Sequence, residues 1–457
     1  MRLRRQLIAL VAGAATALAA GLVAAPDGLA APVGASPNVL VVCSAPAWAE
    51  GTAYSVGSRV TYAGRLYEAL VAHTPPPGAG WNPAATPSLW RDLGACDGGG
   101  TPSPTPTRTA TPSPTPTRTA TPTPTRTATP SPTTTNPPGA TCAVRSKPAG
   151  KVLQGYWENW DGAANGVHPG LGWIPITDPR IAQHGYNVVN AAFPVIRSDG
   201  TVLWEDGMDA GVKVATPAEM CQAKAAGLTI LMSIGGAAAG IDLSSSAVAD
   251  RFVATVVPIL KRYNFDGIDI DIETGLTGSG NINQLSTSQA NLIRIIDGVL
   301  AQMPANFGLT MAPETAYVTG GSVTYGSIWG AYLPIVKKYA DNGRLWWLNM
   351  QYYNGSMYGC SGDSYAAGTV QGFTVQTNCL NSGLVVQGTT IRVPYDKQVP
   401  GLPAQQGAGG GYLSPALVSQ AWNTYSGGLK GLMTWSLNWD GSKGWTFGDN
   451  VRSLQGR

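Results

Sequence analysis

The sequence has few charged residues and few histidines. Asp, Glu, Lys and Arg make up 12% of its 457 residues, and the formal net charge is +3, so the composition gives no indication of nucleic acid or an anionic membrane as a partner. The three histidines, His73, His168 and His184, lie in separate segments, which argues against a histidine-rich metal site. We therefore expect neither a metal ion nor a cofactor.

Phenylalanine is also scarce: the chain contains only 6 Phe, compared with 14 Trp and 17 Tyr. Indole and phenol rings combine a flat apolar face with a polar group, which suits stacking on sugar rings as well as core packing. The chain is rich, in contrast, in residues that interrupt regular structure, with 58 Gly and 35 Pro. Together with the length of the chain, this composition predicts two folded parts and a linker.

Residues 1–30 have the pattern of a secretory signal peptide. Three arginines near the start precede an apolar run over residues 7–25, and a small-residue cleavage site follows at residues 28–30. A membrane anchor is the alternative, but the run is rich in Ala and Gly and lacks a stop-transfer pattern. We expect a secreted, extracellular protein that is not attached to a membrane after cleavage, exported by the Sec or the twin-arginine route.

Residues 43–96 have the features of a compact module. Short alternating runs on either side of Gly64 predict a β-hairpin, and a disulfide between Cys43 and Cys96 is expected to stabilise so small a core. The order of the aromatic residues resembles the small chitin-binding modules of carbohydrate-binding families 5 and 12. This resemblance implies that Trp81 is the exposed ring that stacks on chitin. The rings that it implies to be mostly core are Tyr62, Tyr67 and Trp90.

Residues 97–141 are expected to be a linker. Within them, residues 101–138 form a Pro/Thr tract in which Thr-Pro-Thr-Arg-Thr-Ala recurs. Such a composition cannot form a packed core, and its prolines favour extended polyproline II. The tract is therefore predicted to be a spacer that reaches up to ~120 Å when fully extended.

Residues 142–457 alternate between strand patterns and helical patterns. The eight strand candidates are residues 151–157, 187–193, 229–236, 267–273, 307–313, 345–353, 398–403 and 432–436. Between them, apolar residues share one helical face, namely Val248, Phe252, Val256, Ile259 and Leu260 in one segment and Leu292, Ile295, Ile296, Val299 and Leu300 in another. This order predicts an α/β fold, a (β/α)8 TIM barrel with its chemistry at the C-terminal ends of the strands, and a doubly wound open sheet is the alternative.

The fourth strand candidate carries an unusual acidic pattern. Three isoleucines alternate with Asp269, Asp271 and Glu273, so one strand face presents three carboxyl groups spaced by ~7 Å. Repulsion among them raises at least one pKa toward neutral values, as a general acid requires. A solvated acidic face and a calcium site are the alternatives, but the isoleucines do not fit the Asp-x-Asp-x-Asp-Gly pattern of cation-binding loops.

With Asp266, these residues form the pattern Asp-x-x-Asp-x-Asp-x-Glu, and the chain from residue 151 to residue 454 resembles bacterial chitinases of glycoside hydrolase family 18. The resemblance implies hydrolysis of β-1,4 N-acetylglucosamine linkages with retention, by a route in which the acetamido oxygen of the substrate attacks the anomeric carbon. Glu273 is then the acid and base, and Asp271 stabilises the oxazolinium intermediate. Asp269 shares the proton load of Asp271, and Tyr353 donates to the acetamide oxygen. Asp266 is expected to be structural.

Further residues at strand ends are implied to bind the sugar. Trp435 is expected to form the floor under the sugar at the cleavage point, with Tyr156 and Trp157 in the wall. The remaining expected substrate-binding residues are Ser233 and Gly235 of a Ser-x-Gly-Gly motif, with Met311, Glu314, Gln351 and Asn354. The expected partners are chitin and chito-oligosaccharides, and the protein is expected to be a monomer.

The spacing late in the chain and the remaining cysteines add two expectations. Residues 404–431, between the seventh and eighth strands, are too few for the extra α+β domain that deepens the cleft in some relatives, which favours cleavage within chains. Cys360 and Cys379 share a long loop after the sixth strand and are expected to pair. Cys142 and Cys221 then pair by elimination, at the bottom of the barrel.

Two other functions share parts of these patterns. An endo-β-N-acetylglucosaminidase that acts on N-glycans has the same fold and acidic motif, but the chitin-type module argues against it. A non-catalytic chitin-binding lectin typically lacks the catalytic acid, whereas Glu273, Asp271 and Tyr353 are all present here. An endo-acting chitinase is therefore the function that the sequence favours.

Overall fold

The computed structural model describes residues 40–41, 43–55, 57–69, 82–83, 90–96, 139–162, 168, 171–237 and 240–457. The predicted signal peptide, Trp81 and the Pro/Thr tract lie outside these residues. The chain divides into two compact units, Met1–Pro124 and Thr125–Arg457. In the described ranges, no helix has the length and apolar character needed to cross a membrane.

The N-terminal unit contains a four-stranded sheet in the order β1-β4-β3-β2. Its strands are β1 (Leu40–Val41), β2 (Arg59–Tyr62), β3 (Arg65–Ala69) and β4 (Trp90–Cys96). The predicted hairpin is confirmed, since β2 and β3 pair in antiparallel register and Gly64, at φ +73°, lies in their turn. The Cys43–Cys96 disulfide is also confirmed. Tyr67 and Trp90 are core residues as expected, and Tyr62 packs against that core.

In the described part of the C-terminal unit, eight parallel strands form the main sheet, and shorter strands form three hairpins. In chain order the strands are β5 (Val152–Glu158), β6 (Val188–Ala192), β7 (Val195–Ile196), β8 (Val202–Leu203), β9 (Thr229–Gly235), β10 (Gly267–Asp271), β11 (Gly308–Met311), β12 (Trp347–Leu348), β13 (Ser356–Tyr358), β14 (Ser364–Ala366), β15 (Leu384–Val386), β16 (Thr389–Ile391), β17 (Gly401–Pro403) and β18 (Gly431–Trp435). The helices are α1 (Pro179–Gln183), α2 (Pro217–Ala225), α3 (Ser246–Arg262), α4 (Thr287–Leu300), α5 (Leu333–Asp341), α6 (Val370–Ser382), α7 (Pro415–Asn423), α8 (Leu437–Ser442) and α9 (Thr446–Leu454), with 3-10 turns at Thr315–Tyr317, Thr319–Ser322 and Tyr395–Lys397.

The eight parallel strands close into a barrel. Their order is β12-β11-β10-β9-β6-β5-β18-β17, and parallel bridges from Leu348 to Gln398 and from Gln351 to Gly401 join the two ends of this sheet. Closure confirms the TIM-barrel prediction and excludes the open doubly wound sheet. The eight predicted strands are all present, although the sixth and seventh are much shorter than expected.

Alternation along β10 assigns its two faces. Ile268 and Ile270 are fully buried in the layer between the sheet and the helices, which includes Phe252 of α3 and Leu292 of α4. Asp269 therefore faces the barrel interior, where it is also fully buried. This burial excludes the solvated acidic face.

The bottom of the barrel anchors the start of the unit. The Cys142–Cys221 disulfide is confirmed, and the backbone N–H of Arg145 donates to Asp266 at 2.7 Å. Asp266 also pairs with Lys224 at 2.7 Å, which supports its expected structural role. The chain thus enters the barrel at the end opposite the catalytic strand ends.

Two loop features complete the barrel. The Cys360–Cys379 disulfide is confirmed and joins the segment after β13 to α6. The connection from β17 to β18 contains the single helix α7, as the short spacing predicted.

Candidate active site

Asp269 lies at the centre of the site and accepts four side-chain hydrogen bonds. The donors are Tyr156 Oη at 2.7 Å, Ser233 Oγ at 2.8 Å, Thr310 Oγ1 at 2.5 Å and Asn349 Nδ2 at 3.1 Å. Burial raises the pKa of Asp269, and these bonds oppose the rise. Four donors from four strands or strand ends hold the Asp269 carboxyl group in one orientation.

Asp271 and Glu273 are joined by one amide group. Gln351 Nε2 lies 2.9 Å from Asp271 Oδ1, 3.0 Å from Glu273 Oε1 and 3.0 Å from the backbone oxygen of Ala312. Two amide hydrogens thus serve three acceptors. This contact brings the two expected catalytic carboxyl groups together.

The pKa values of both carboxyl groups are raised above their usual range. Burial, followed by the charges of Glu273 and Asp269, raises the pKa of Asp271 well above its ordinary value. Burial raises the pKa of Glu273 to about 7, with a further contribution from Glu314 and an opposing one from the Gln351 hydrogen bond. Glu273 therefore carries a proton in a substantial fraction of molecules at neutral pH, as a general acid must.

The backbone beyond β10 is held by two tyrosines. Tyr332 Oη accepts from the N–H of Ile272 at 2.8 Å and donates to the carbonyl of the same residue at 2.9 Å. Tyr317 Oη donates to the carbonyl of Glu273 at 2.8 Å. These bonds fix Glu273 although it lies two residues past the last residue of the strand.

The Ser-x-Gly-Gly motif supports this site through its backbone. A Cβ atom on Gly235 would lie 2.1 Å from the carbonyl oxygen of Asp271, and one on Gly236 would lie 2.7 Å from the Phe193 ring. The N–H of Gly236 donates to the same carbonyl at 2.7 Å. Glycine is required at position 235 because β9 and β10 approach closely there, and at position 236 because the Phe193 ring occupies the space of a side chain.

Tyr353 and Glu314 lie at the acidic cluster, whereas Asn354 does not contact it. Burial and the charges of Asp271 and Glu273 raise the pKa of Tyr353 well above its usual value, so its hydroxyl group is a donor at neutral pH. Burial also raises the pKa of Glu314. Asn354 is exposed, at φ +62°, and its Oδ1 accepts from the N–H of Gly410 at 2.7 Å, which fixes a turn.

An aromatic wall surrounds Trp435. Its ring lies 5.4 Å from that of Tyr156, 6.0 Å from that of Phe193 and 6.2 Å from that of Trp160, measured between centroids. The sequence interpretation missed Phe193 and Trp160. Their positions just after β6 and β5 were the available signal, since functional residues of a barrel follow its strands.

Strand alternation corrects two expected substrate contacts. Trp157 is fully buried in the layer between the sheet and the helices, and its Nε1 donates to the carbonyl of Ile174 at 2.9 Å. Met311 is buried in the same layer, because its neighbour Thr310 faces inward. The remaining wall candidate, Tyr156, is buried; its ring packs against that of Trp435, and its hydroxyl group donates to Asp269.

Two contacts of Asp269 were also missed by sequence reasoning. Thr310 and Asn349 are neutral polar residues that no charge pattern distinguishes, and they become neighbours of Asp269 only when the strands pair. Within the described ranges, no group of three His, Cys, Asp or Glu side chains is arranged to hold a metal ion.

Two family models match the sequence. Residues 47–91 match carbohydrate-binding module family 5/12, and residues 152–332 match the glycosyl hydrolases family 18. The second range includes β10, Glu273 and Glu314.

Proteins similar to this chain carry chitinase names. Endochitinase 37 of Trichoderma harzianum is 84% identical over 311 residues, which cover 68% of this chain and 92% of that protein. Chitinase D of Niallia circulans is 32% identical over 483 residues, which cover 87% of this chain and 89% of that protein. The crystal structure of a family GH18 chitinase from Chromobacterium violaceum, at 27% identity, matches with a TM-score of 0.58 over 91% of this chain and 100% of that chain. The expected resemblance to bacterial chitinases in particular is not confirmed, because the protein that is 84% identical to this chain is fungal.

Proposed function

The chain belongs to glycosyl hydrolase family 18, and we propose that it is an endo-acting chitinase that hydrolyses the β-1,4 linkages between N-acetylglucosamine units of chitin. The observation that carries this function is the junction of Asp271 and Glu273 at Gln351, with the pKa of Glu273 raised to about 7. Protonation of a glycosidic oxygen at neutral pH requires a carboxyl group of this kind.

The proposed mechanism retains the anomeric configuration. Glu273 donates its proton to the leaving oxygen while the acetamido oxygen of the substrate attacks the anomeric carbon. Asp271 accepts a hydrogen bond from the acetamide N–H and offsets the positive charge of the oxazolinium intermediate. Glu273, now a carboxylate, removes a proton from the incoming water, and the product is released as the β-anomer.

Three supporting residues have separate roles in this proposal. Asp269 is a fixed neighbour that its four donors hold in place, so its main effect is to raise the pKa of Asp271. This role replaces the proton sharing that we expected from the sequence. Tyr353 donates to the acetamide oxygen, and Trp435 forms the floor beneath the sugar.

The remaining parts of the chain suggest how the enzyme meets its substrate. We assign residues 1–30 to a cleaved signal peptide, 43–96 to a chitin-binding module, 97–141 to a linker and 142–457 to the catalytic barrel. The proposed enzyme is an extracellular monomer that binds chitin and chito-oligosaccharides. With the single helix α7 between β17 and β18, no inserted domain deepens the cleft there, so the enzyme is proposed to cut within chains.

The direct test is Glu273→Gln, assayed on colloidal chitin and on a high-mannose glycopeptide. We expect the parent protein to cut chitin and spare the glycopeptide, and the variant to lose at least ~10²–10⁴-fold in rate because it lacks the proton donor. NMR of fresh product should show the β-anomer first. Parent activity only on the glycopeptide, or near-normal activity of a folded Glu273→Gln protein, would refute the assignment.

A further inference from the structure

Three buried polar side chains near Trp435 take no part in the proposed chemistry. Glu158 is the last residue of β5, Ser436 directly follows β18, and His168 lies in the connection after β5. His168 Nε2 lies 2.7 Å from Glu158 Oε2, and the Ser436 hydroxyl group donates to Glu158 Oε1. Both oxygens of this fully buried carboxyl group are therefore occupied.

The second ring nitrogen of His168 is also bound, since Nδ1 lies 3.1 Å from the carbonyl oxygen of Leu171. Burial lowers the pKa of His168, but the hydrogen bond and charge of Glu158 outweigh it, so the pKa lies above the ordinary value. Taking these polar groups out of water offsets most of what their contact contributes, so the pair adds little net stability, and its main effect is to fix relative positions.

The cluster is joined to the strand end that carries Trp435. Ser436 Oγ accepts from the N–H of Trp439 at 3.1 Å and so caps α8. Asn438 Oδ1 accepts from the N–H of Glu158 at 3.0 Å. The backbone on the C-terminal side of Trp435 is therefore bound to the end of β5.

The opposite side of the wall is bound to the same strand end. Asn159, which follows Glu158, donates its backbone N–H to the carbonyl of Ala192 and its Nδ2 to the carbonyl of Phe193, both at 2.9 Å. The Phe193 ring is stacked on that of Trp435, with 16° between the planes. A shift of Glu158 would thus move Trp435 and the ring against which it packs.

We propose that Glu158, His168 and Ser436 are positioning residues that hold the Trp435 indole in the plane required to bind the sugar at the cleavage point. This inference rests on the proposed function, because the ligand of Trp435 is the chitin sugar. The cluster sets affinity without contacting the acidic residues.

Two variants of Glu158 separate geometry from charge. Glu158→Leu removes both hydrogen bonds at nearly constant volume. Glu158→Gln keeps them, because its amide oxygen accepts from Ser436 and its NH₂ donates to neutral His168, whose Nδ1–H still faces Leu171. Each is made in the Glu273→Gln background for binding of the N-acetylglucosamine tetramer by calorimetry, and in the otherwise unchanged enzyme for kcat, KM and pH dependence.

For Glu158→Leu we expect the tetramer Kd and the KM to rise ~10-fold, near the lower end of what a misfitted apolar contact in a binding site costs. Glu158→Gln should stay within ~2-fold of the parent, because the hydrogen bonds persist. The alkaline limb of the pH profile should not move in either variant, since the contacts of Gln351 with Asp271 and Glu273 are unchanged.

A matched control is Lys224→Met, which breaks the buried ion pair with Asp266 at the bottom of the barrel. It should lower the melting temperature but leave the Kd for the tetramer unchanged. An unchanged Kd in folded Glu158→Leu, or equal weakening in Glu158→Leu and Glu158→Gln, would overturn the proposal. Weakening by Lys224→Met as large as that by Glu158→Leu would also overturn it.

If Glu158→Leu does not fold, a second substitution tests the proposal. Ser436→Ala removes one hydrogen bond of the cluster, and we expect a smaller KM increase of ~3-fold; no increase would overturn the proposal. Failure of the proposed function has a different signature, because the Glu273→Gln parent would then fail to bind the tetramer. Failure of the positioning role alone leaves the parent active and binding.

Discussion

Gln351 sets the pH range of the enzyme if its amide stabilises the charged form of Glu273. The perturbation is Gln351→Leu, which removes the hydrogen bonds at 2.9 Å to Asp271 and 3.0 Å to Glu273 while keeping a buried side chain of similar size. A hydrogen bond to a carboxylate favours ionisation and lowers its pKa. Its loss should therefore raise the pKa of Glu273 further above 7, the approximate value in the parent.

The magnitude follows from the shared geometry. A hydrogen bond to a charged group is worth ~1.5–3 kcal/mol, and here two amide hydrogens are divided among three acceptors, so the share of Glu273 is about 1–2 kcal/mol. Because one pKa unit corresponds to 1.36 kcal/mol, the alkaline limb should move upward by about one pH unit. The alkaline limb of the pH profile reports the titration of Asp271 and Glu273 as a coupled pair.

The assay is kcat/KM for a soluble chromogenic chito-oligosaccharide over a range of pH, because this parameter reports the pKa values of the free enzyme. Activity requires protonated Glu273, so Gln351→Leu should retain its own maximal rate to higher pH than the parent, even if that maximum is lower. Gln376→Leu is the matched control, since Gln376 is equally buried but its amide N–H donates to the sulfur of Met357. An alkaline limb that stays in place or moves downward in folded Gln351→Leu would refute the reasoning.

Three further predictions concern other parts of the chain. Trp81→Ala, at a position outside the described residues, should lower binding and activity on insoluble chitin but not on short soluble oligomers; equal loss on both would contradict a separate module. Soluble modified chitin should lose viscosity before much reducing sugar appears, whereas steady disaccharide release at constant viscosity would indicate cutting from chain ends. Replacing Cys142 and Cys221 by Ser should lower the free energy of unfolding by about 2–4 kcal/mol in a denaturant titration, given a separation of 79 residues, and leave kcat unchanged. An unchanged unfolding midpoint would show that this disulfide adds no stability.

The acidic strand could be identified from sequence because its period of two is independent of the rest of the fold. The side on which each residue lies could not be decided where two aromatic residues are adjacent. Tyr156 and Trp157 both fit a wall, and only the pairing of β5 with its neighbours turns Tyr156 toward Asp269 and Trp157 toward the helices.

Contacts between distant strands were beyond sequence reasoning for a related reason. Asn349 lies 80 residues from Asp269 and becomes its donor because it follows β12, which pairs with β11, the neighbour of β10 in the closed barrel. The sixth and seventh strands are shorter than predicted for the same reason. A strand pattern records which residues are apolar, whereas strand length depends on which neighbouring backbone is within hydrogen-bonding distance.

The three disulfides divide the chain into independently cross-linked pieces. Cys43–Cys96 lies wholly before the Pro/Thr tract, and Cys142–Cys221 and Cys360–Cys379 lie wholly after it. A protease that cuts the tract would therefore release two fragments in which all three disulfides remain intact. Under the proposed function, proteolysis would then change where the enzyme acts without inactivating it, since the barrel fragment would lose the chitin-binding module and keep its catalytic residues.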